Sequence, residues 1–167
     1  MHIHSTHSAH EELEAQSSKP GPSLKSRALR FLAARDYGRA ELERKLSPHA
    51  DSPEQLQAAL DDLQAKGFIS EERAAASLLN RRAGKLGAVR VLQELRQKGF
   101  DTELIAAQAD ILRETEEIRI KSVWQKKFGH APQDAATRVK QMRFLAGRGF
   151  AATQISKLMR SLEQGAD

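Results

Sequence analysis

The sequence contains no cysteine and few aromatic residues, and these absences exclude several classes of protein at the outset. Without cysteine there is no disulfide framework and no thiolate metal site, which suits a reducing compartment. Aromatic residues make up only 5% of the chain. No apolar run approaches the roughly 18 residues that a membrane-spanning helix needs, and the N-terminus lacks the apolar core of a secretory signal. We therefore expect a soluble cytoplasmic protein without a membrane partner.

The motifs of common catalytic and cofactor sites are also missing. There is no glycine-rich phosphate loop ending in Lys-Ser or Lys-Thr, and no His-Glu-x-x-His zinc motif. His49 and His130 both lie beside proline or turn residues, where a solvated loop histidine is expected. Four further histidines near the N-terminus form a cluster without preformed geometry: His2, His4, His7 and His10. We predict no catalytic residues, no cofactor and no metal site, and hence a protein that is not an enzyme.

Charge is abundant and unevenly distributed, with a net value of +5 at pH 7. Residues 1–22 hold three glutamates and one lysine, so the remaining residues carry +7. Two basic stretches, Arg73–Lys98 and Arg119–Arg148, flank the mostly acidic stretch Asp101–Glu117. This pattern predicts a polyanionic partner, although a helical protein with solvated charged faces would show similar alternation.

Apolar residues recur with the spacing of helices throughout residues 23–162. Ala88, Val91, Leu92 and Leu95 illustrate the i, i+3, i+4, i+7 spacing of a helix with one buried face. No stretch alternates convincingly enough to predict a strand. Leucine, alanine, glutamate, glutamine and arginine dominate the composition and favour helix. We predict nine short helices.

A six-residue phrase, L-x-x-(K/R)-G-F, occurs three times and divides the chain. Its copies are Leu63–Phe68, Leu95–Phe100 and Leu145–Phe150. Glycine readily takes the left-handed conformation that ends a helix, and the leucine and phenylalanine then occupy the two positions that touch in a Schellman cap. The sequence thus predicts structural helix caps at Gly67, Phe68, Gly99, Phe100, Gly149 and Phe150.

These helices group in threes. Residues 1–22 mix His, Ser, Glu and Gly-Pro without periodicity and are predicted to form a disordered tail. We predict that three tandem three-helix repeats follow, at residues 23–69, 70–113 and 114–167. The expected fold is an all-α, elongated array in which each repeat buries part of its surface against its neighbour.

Candidate binding residues are the cations that helices and turns could bring to one face of the second and third repeats. Such side chains suit phosphate contacts, which do not read nucleotide sequence, but an acidic protein surface would suit them equally. The candidates are Arg81, Arg82, Lys85, Arg90, Lys126, Lys127, Lys140 and Arg143.

Several segments resemble the RecX regulatory proteins. The longest is the run Arg82–Gly99, which is similar to the central signature of that family. Together the similar segments extend over about residues 24–162, and they also include Ala28–Leu32, Arg39–Leu46, Lys140–Leu145 and Arg148–Phe150. The resemblance implies three tandem three-helix repeats, in agreement with the periodicity.

The resemblance also implies a function. RecX proteins bind the filament of the RecA recombinase along its helical groove and inhibit its recombinase, ATPase and co-protease activities. The implied partners are the RecA filament and, secondarily, DNA, and we expect a monomer. The implied processes are homologous recombination, DNA repair and the SOS response. Two alternatives stay open: a nonspecific DNA-binding protein with helix-turn-helix-like units that acts without RecA, and a scaffold for another acidic partner.

Overall fold

A computed structural model describes residues 21–165, and within this range the chain folds into eight α-helices and no strand. The helices are α1 (Leu24–Ala34), α2 (Arg39–Leu46), α3 (Pro53–Ala65), α4 (Glu71–Arg82), α5 (Ala88–Lys98), α6 (Thr102–Lys127), α7 (Ala135–Gly147) and α8 (Ala152–Gln164). A 3₁₀ turn, Ser47–His49, follows α2. The predicted all-α class is confirmed. The predicted tail up to residue 20, with its four histidines, lies outside the described residues. None of the described helices is long and apolar enough to cross a membrane.

The prediction of nine helices is wrong because α6 is continuous. It runs for 26 residues across the predicted repeat limit at residue 113, where one helix was expected to end and the next to begin. No glycine or proline interrupts this stretch, and the intervening Arg113–Arg119 contains mostly good helix formers. At 1.5 Å per residue, α6 is about 39 Å long.

Three hydrophobic clusters follow one another along the chain. Leu42 and Leu60 belong to the first, Leu78 and Leu95 to the second, and Met159 to the third. Mutually packed helices enclose each cluster: α1–α3, then α4–α6, then α6–α8. We call α1–α3 the first unit, α4, α5 and the N-terminal half of α6 the second unit, and the rest the third unit. The repeat limits 23–69, 70–113 and 114–167 stay a prediction.

The three copies of the glycine phrase share one geometry. Gly67, Gly99 and Gly149 have φ values of 78°, 87° and 88°. In each copy the phenylalanine N–H donates to the leucine carbonyl five residues earlier, at 2.9, 3.3 and 3.2 Å. This is the long hydrogen bond of a Schellman cap. Phe100 and Phe150 are buried, whereas Phe68 is 47% exposed. The first cap therefore differs from the other two in its surroundings.

The second and third caps each pack on the start of the preceding unit's middle helix. A Cβ on Gly99 would lie 2.9 Å from the Cβ of Ala40 in α2, and one on Gly149 would lie 2.6 Å from the Cβ of Arg90 in α5. No atom lies within 4 Å of the corresponding point on Gly67. We call these contacts the first junction, between the first and second units, and the second junction, between the second and third.

The second junction is made directly between backbones. The N–H of Gly87 donates to the carbonyl of Arg148 at 2.9 Å, and the N–H of Val89 donates to the carbonyl of Gly149 at 3.2 Å. A Cβ on Gly87 would clash with the backbone of Gly149. Only glycine lets these two segments approach so closely.

The first junction depends on a carboxylate. Glu41, at the start of α2, accepts from Arg35 at 2.6 Å and from Lys98 of the second unit at 2.8 Å. Burial raises the pKa of Glu41, but the hydrogen bonds and positive charges of Arg35 and Lys98 outweigh burial and hold that pKa below its ordinary value. The ionised form of Glu41 therefore stabilises the folded chain.

We expect Glu41→Gln to destabilise the protein by about 1–2 kcal/mol at pH 7, because two charge-assisted hydrogen bonds are weakened. A carboxylate whose pKa is lower in the folded state than in the unfolded state stabilises the folded state at pH values above its unfolded-state pKa. That stabilisation is lost as the pH falls through the folded-state pKa. The difference between wild type and variant should thus shrink toward zero below about pH 4. Urea denaturation at several pH values measures it.

The matched control is Glu114→Gln, which changes an exposed glutamate of α6 that forms no ion pair within residues 21–165. Its free energy of unfolding should stay within about 0.5 kcal/mol of wild type at every pH. A Glu41→Gln deficit that is the same at pH 7 and in acid would contradict the role assigned to the Glu41 charge.

Candidate functional site

A surface groove at the second junction collects cations from three separate segments. Lys85 lies in the turn between α4 and α5, Lys126 and Lys127 end α6, and Arg148 follows α7. Val123 and Phe144 supply the apolar part of the lining, which is completed by Gly84. We call this the basic groove. It places four positive charges around an apolar floor.

Contacts from α6 fix the turn that carries Lys85. The Arg119 guanidinium donates to the carbonyls of Ala83 at 3.1 Å and Leu86 at 2.7 Å. Glu116, which is buried, accepts from the N–H of Ala88 at 3.2 Å. Burial lowers the pKa of Arg119, and the nearby charge of Glu116 opposes this effect. The two α6 side chains, one turn apart, thereby hold the Lys85 turn against the helix that also bears Lys126 and Lys127.

Phe144 orders the cations around its ring. The ring packs edge-to-face against Phe128, with centroids 5.3 Å apart and an interplanar angle of 87°. The Nζ of Lys127 lies 5.7 Å from the Phe144 centroid, and the Cζ of Arg148 lies 5.1 Å from it. The negative face of an aromatic ring attracts cations at these distances. Phe144 thus forms part of the apolar floor, and its ring also attracts two of the four cations.

The charges of the basic groove are not neutralised within the described part of the chain. None of its four cations has a carboxylate within 4.0 Å there, whereas Lys25, Arg35 and Arg39 of the first unit each have one. Uncompensated charge around a concave surface raises the local concentration of anionic partners. The groove is therefore suited to bind a polyanion.

Three of the eight predicted basic residues line this groove: Lys85, Lys126 and Lys127. Lys140 lies one helical turn before Phe144 on α7, and Arg143 precedes Phe144 directly. Both are exposed and neither lines the groove. They extend the positive surface along α7 and are available for contact with a large partner.

The other three predicted residues have partners inside the protein. Arg82 pairs with Glu94 at 3.0 Å, and Arg81 donates to the hydroxyl of Ser77. Arg90 donates to the carbonyl of Gly147 at 2.6 Å, so it reinforces the second junction. The eight predicted residues thus divide into three that line the groove, two beside it on α7 and three with partners inside the protein, and the contact role of each stays a prediction.

Sequence reasoning missed four residues of the groove: Gly84, Val123, Phe144 and Arg148. Arg148 enters the sequence analysis only as the basic residue of the third glycine phrase, and Phe144 only as part of a segment that resembles a known family. Their i, i+4 spacing on and after α7 was a usable signal, because such residues share a helix face. Within residues 21–165, no cluster of three or more His, Asp or Glu side chains is arranged to hold a metal ion.

Comparison with known proteins identifies the family. The model described as RecX, second three-helix domain, matches residues 70–107, and that of RecX, third three-helix domain, matches residues 115–159. A regulatory protein RecX from Leptothrix cholodnii is 46% identical over 144 residues, which cover 86% of this chain and 92% of the relative. The chain belongs to the RecX family. A second RecX-family relative, regulatory protein RecX from Herminiimonas arsenicoxydans, is 44% identical over 145 residues, or 87% and 96% of the two chains.

Solved structures show the same fold. The crystal structure of RecX from Lactobacillus salivarius superposes on this RecX-family chain with a TM-score of 0.67 at 20% identity, covering 84% of this chain and 95% of the other. A second crystal structure, of regulatory protein RecX, gives a TM-score of 0.66 at 22% identity and covers 83% and 71%. The resemblance found in the sequence is confirmed. The basic groove lies where the two matched three-helix domains meet.

Proposed function

We propose that this RecX-family chain is a non-enzymatic regulator that binds the RecA nucleoprotein filament and inhibits its recombinase, ATPase and co-protease activities. It acts in the cytoplasm as a monomer, in homologous recombination, DNA repair and the SOS response. Relatives at 46% and 44% identity are regulatory proteins RecX, which supports the regulatory role.

The observation that carries this proposal is the uncompensated charge of the basic groove. Lysine, arginine, valine and phenylalanine side chains line it, and these supply charge and apolar contact surface rather than a catalytic set. A protein filament on DNA offers carboxylates and phosphates at every repeat. The continuous α6 contributes to both the second and the third unit, and its C-terminal end supplies Lys126 and Lys127 to the groove.

Nonspecific DNA binding is the second candidate, and the same groove favours it. Its four cations, which have no carboxylate partner within residues 21–165, suit backbone phosphates, whose neutralisation gives affinity without sequence preference. On this alternative the protein acts on DNA without contacting RecA, and its affinity for DNA alone falls steeply with salt.

The two candidates separate in an assay of RecA-catalysed, single-stranded-DNA-dependent ATP hydrolysis. The RecX-family protein is added in increasing amounts, and its binding to the same DNA is measured in parallel without RecA. We expect inhibition at protein concentrations too low to occupy the DNA, because a filament regulator acts on RecA itself. Inhibition that begins only when the DNA is coated would replace the proposal with the DNA-binding alternative.

A further inference from the structure

The two junctions are built alike but differ in charge. Each places the glycine cap of one middle helix on the start of the preceding middle helix, and both receiving helices begin after a glycine, Gly38 or Gly87. Counting three residues from each of these glycines makes Glu41 and Arg90 equivalent. Within the docking caps, Lys98 and Arg148 are equivalent because each directly precedes the cap glycine. The same alignment matches the buried Leu42 and Leu46 with the buried Val91 and Leu95. The cap glycines contact positions one residue apart in it, Ala40 and Arg90, so it is the charges of the two junctions that are compared.

At the first junction the cap cation is neutralised, and at the second it is not. Glu41 pairs with Lys98 at 2.8 Å. The equivalent of Glu41 is Arg90, which donates to a backbone carbonyl and leaves Arg148 without a carboxylate among the described residues. Among the described residues, the second junction thus has no carboxylate in the position that Glu41 holds at the first junction.

A second acidic position of the second unit is occupied by an aromatic residue in the third unit. Glu94 precedes the leucine of the second glycine phrase by one residue and pairs with Arg82 at 3.0 Å. Phe144 holds the same position in the third phrase and lies in the basic groove with Val123. The cations of the groove therefore suit carboxylates of a ligand, and its apolar residues suit an apolar side chain of the same ligand.

We propose that the basic groove binds an extended acidic peptide segment of the partner protein, with an apolar side chain between its carboxylates. The carboxylates pair with Lys85, Lys126, Lys127 and Arg148, and the apolar side chain lies on Val123 and Phe144. This inference rests on the proposed function, in which the partner is a protein filament. Lys98, which holds the position equivalent to Arg148, pairs at the first junction with a side-chain carboxylate and not with a phosphate. The groove thus favours a peptide over a nucleic acid.

The test is a titration of the full chain, uniformly labelled with ¹⁵N, followed by NMR. Three probes are compared: a synthetic peptide of Asp and Glu with one central Phe, the same peptide with Ser for Phe, and an oligothymidylate. We expect the Phe peptide to shift the backbone amides of Gly84, Lys85, Lys127 and Arg148. Because its ring buries apolar area, it should bind about tenfold more tightly than the Ser peptide.

Charge-reversal variants locate the site. Lys126→Glu/Lys127→Glu should weaken binding of the Phe peptide at least about tenfold. Arg30→Glu/Arg160→Glu makes the same charge change at exposed positions on α1 and α8 and should bind as wild type does. Far-ultraviolet circular dichroism of both variants checks that helix content is retained.

Three results would overturn the inference: equal affinity for the two peptides, tighter binding of the oligothymidylate at the same amides, or no shift at about 1 mM peptide. The RecA assay separates this failure from that of the proposed function. Inhibition of RecA without peptide binding removes only the peptide inference. Peptide binding without inhibition of RecA removes the proposed function and leaves the groove as an acidic-peptide site.

Discussion

Gly149→Ala should lower the free energy of unfolding by about 3–4 kcal/mol, whereas Gly67→Ala should lower it by about 1 kcal/mol. Both glycines end a helix with positive φ, 88° and 78°, so both variants strain the backbone equally. Only at Gly149 would the new methyl group also lie 2.6 Å from the Cβ and 2.8 Å from the amide nitrogen of Arg90. The difference between the two losses therefore measures the packing of the second junction.

Urea denaturation followed by circular dichroism gives both free energies. Gly87→Ala is the matched partner on the opposite side of the contact. Gly87 has a φ of −75°, which any residue adopts, so a loss in this variant comes from the clash with Gly149 and not from backbone strain. Equal losses for Gly149→Ala and Gly67→Ala would show that the close approach of the second and third units does not contribute to stability.

Lys126→Glu/Lys127→Glu should raise the concentration of protein needed to half-inhibit RecA ATP hydrolysis by at least about 30-fold. The change replaces two attractive charges in the basic groove with two repulsive ones, a difference of about 2 kcal/mol if each charge contributes about as much as an exposed ion pair. Both side chains are exposed at the end of α6, so the fold should tolerate the change.

The matched control is again Arg30→Glu/Arg160→Glu, which alters net charge identically. Both arginines are exposed and form no ion pair within residues 21–165. The control should inhibit within about threefold of wild type, because screened charges far from the groove contribute little. Equal loss in both variants would assign the effect to overall charge and remove the basic groove from the interaction.

The helix ends could be predicted because their causes are local. Ser52, Ser70 and Asp101 each accept a hydrogen bond from the N–H three residues later, as expected for residues that favour helix starts. Periodicity also identified core residues such as Val91 and Leu95. It would place Val139 on the inner face with Leu145, yet that side chain is 44% exposed. The buried residues of α7 are Gln141 and Leu145, and Val139, two residues before Gln141, lies on the other side of the helix.

The groove could not be predicted because its parts are distant in sequence. Lys85 reaches Lys126 and Lys127 only because Arg119 and Glu116 hold its turn against α6. Nor does sequence show which cations are already paired, as Arg82 is with Glu94. The predicted repeat limit at residue 113 falls inside α6, because a stretch that lacks glycine and proline does not end a helix.

The continuity of α6 decides how the molecule can be dissected. A fragment that ends at the predicted limit of residue 113 would cut α6 near its middle, between Leu112 of the second cluster and Ile120 of the third. Each piece would keep half of a helix whose other half anchors the neighbouring core. The second and third units should thus be expressed together, whereas the first unit shares no helix with the second and contacts it through the first junction.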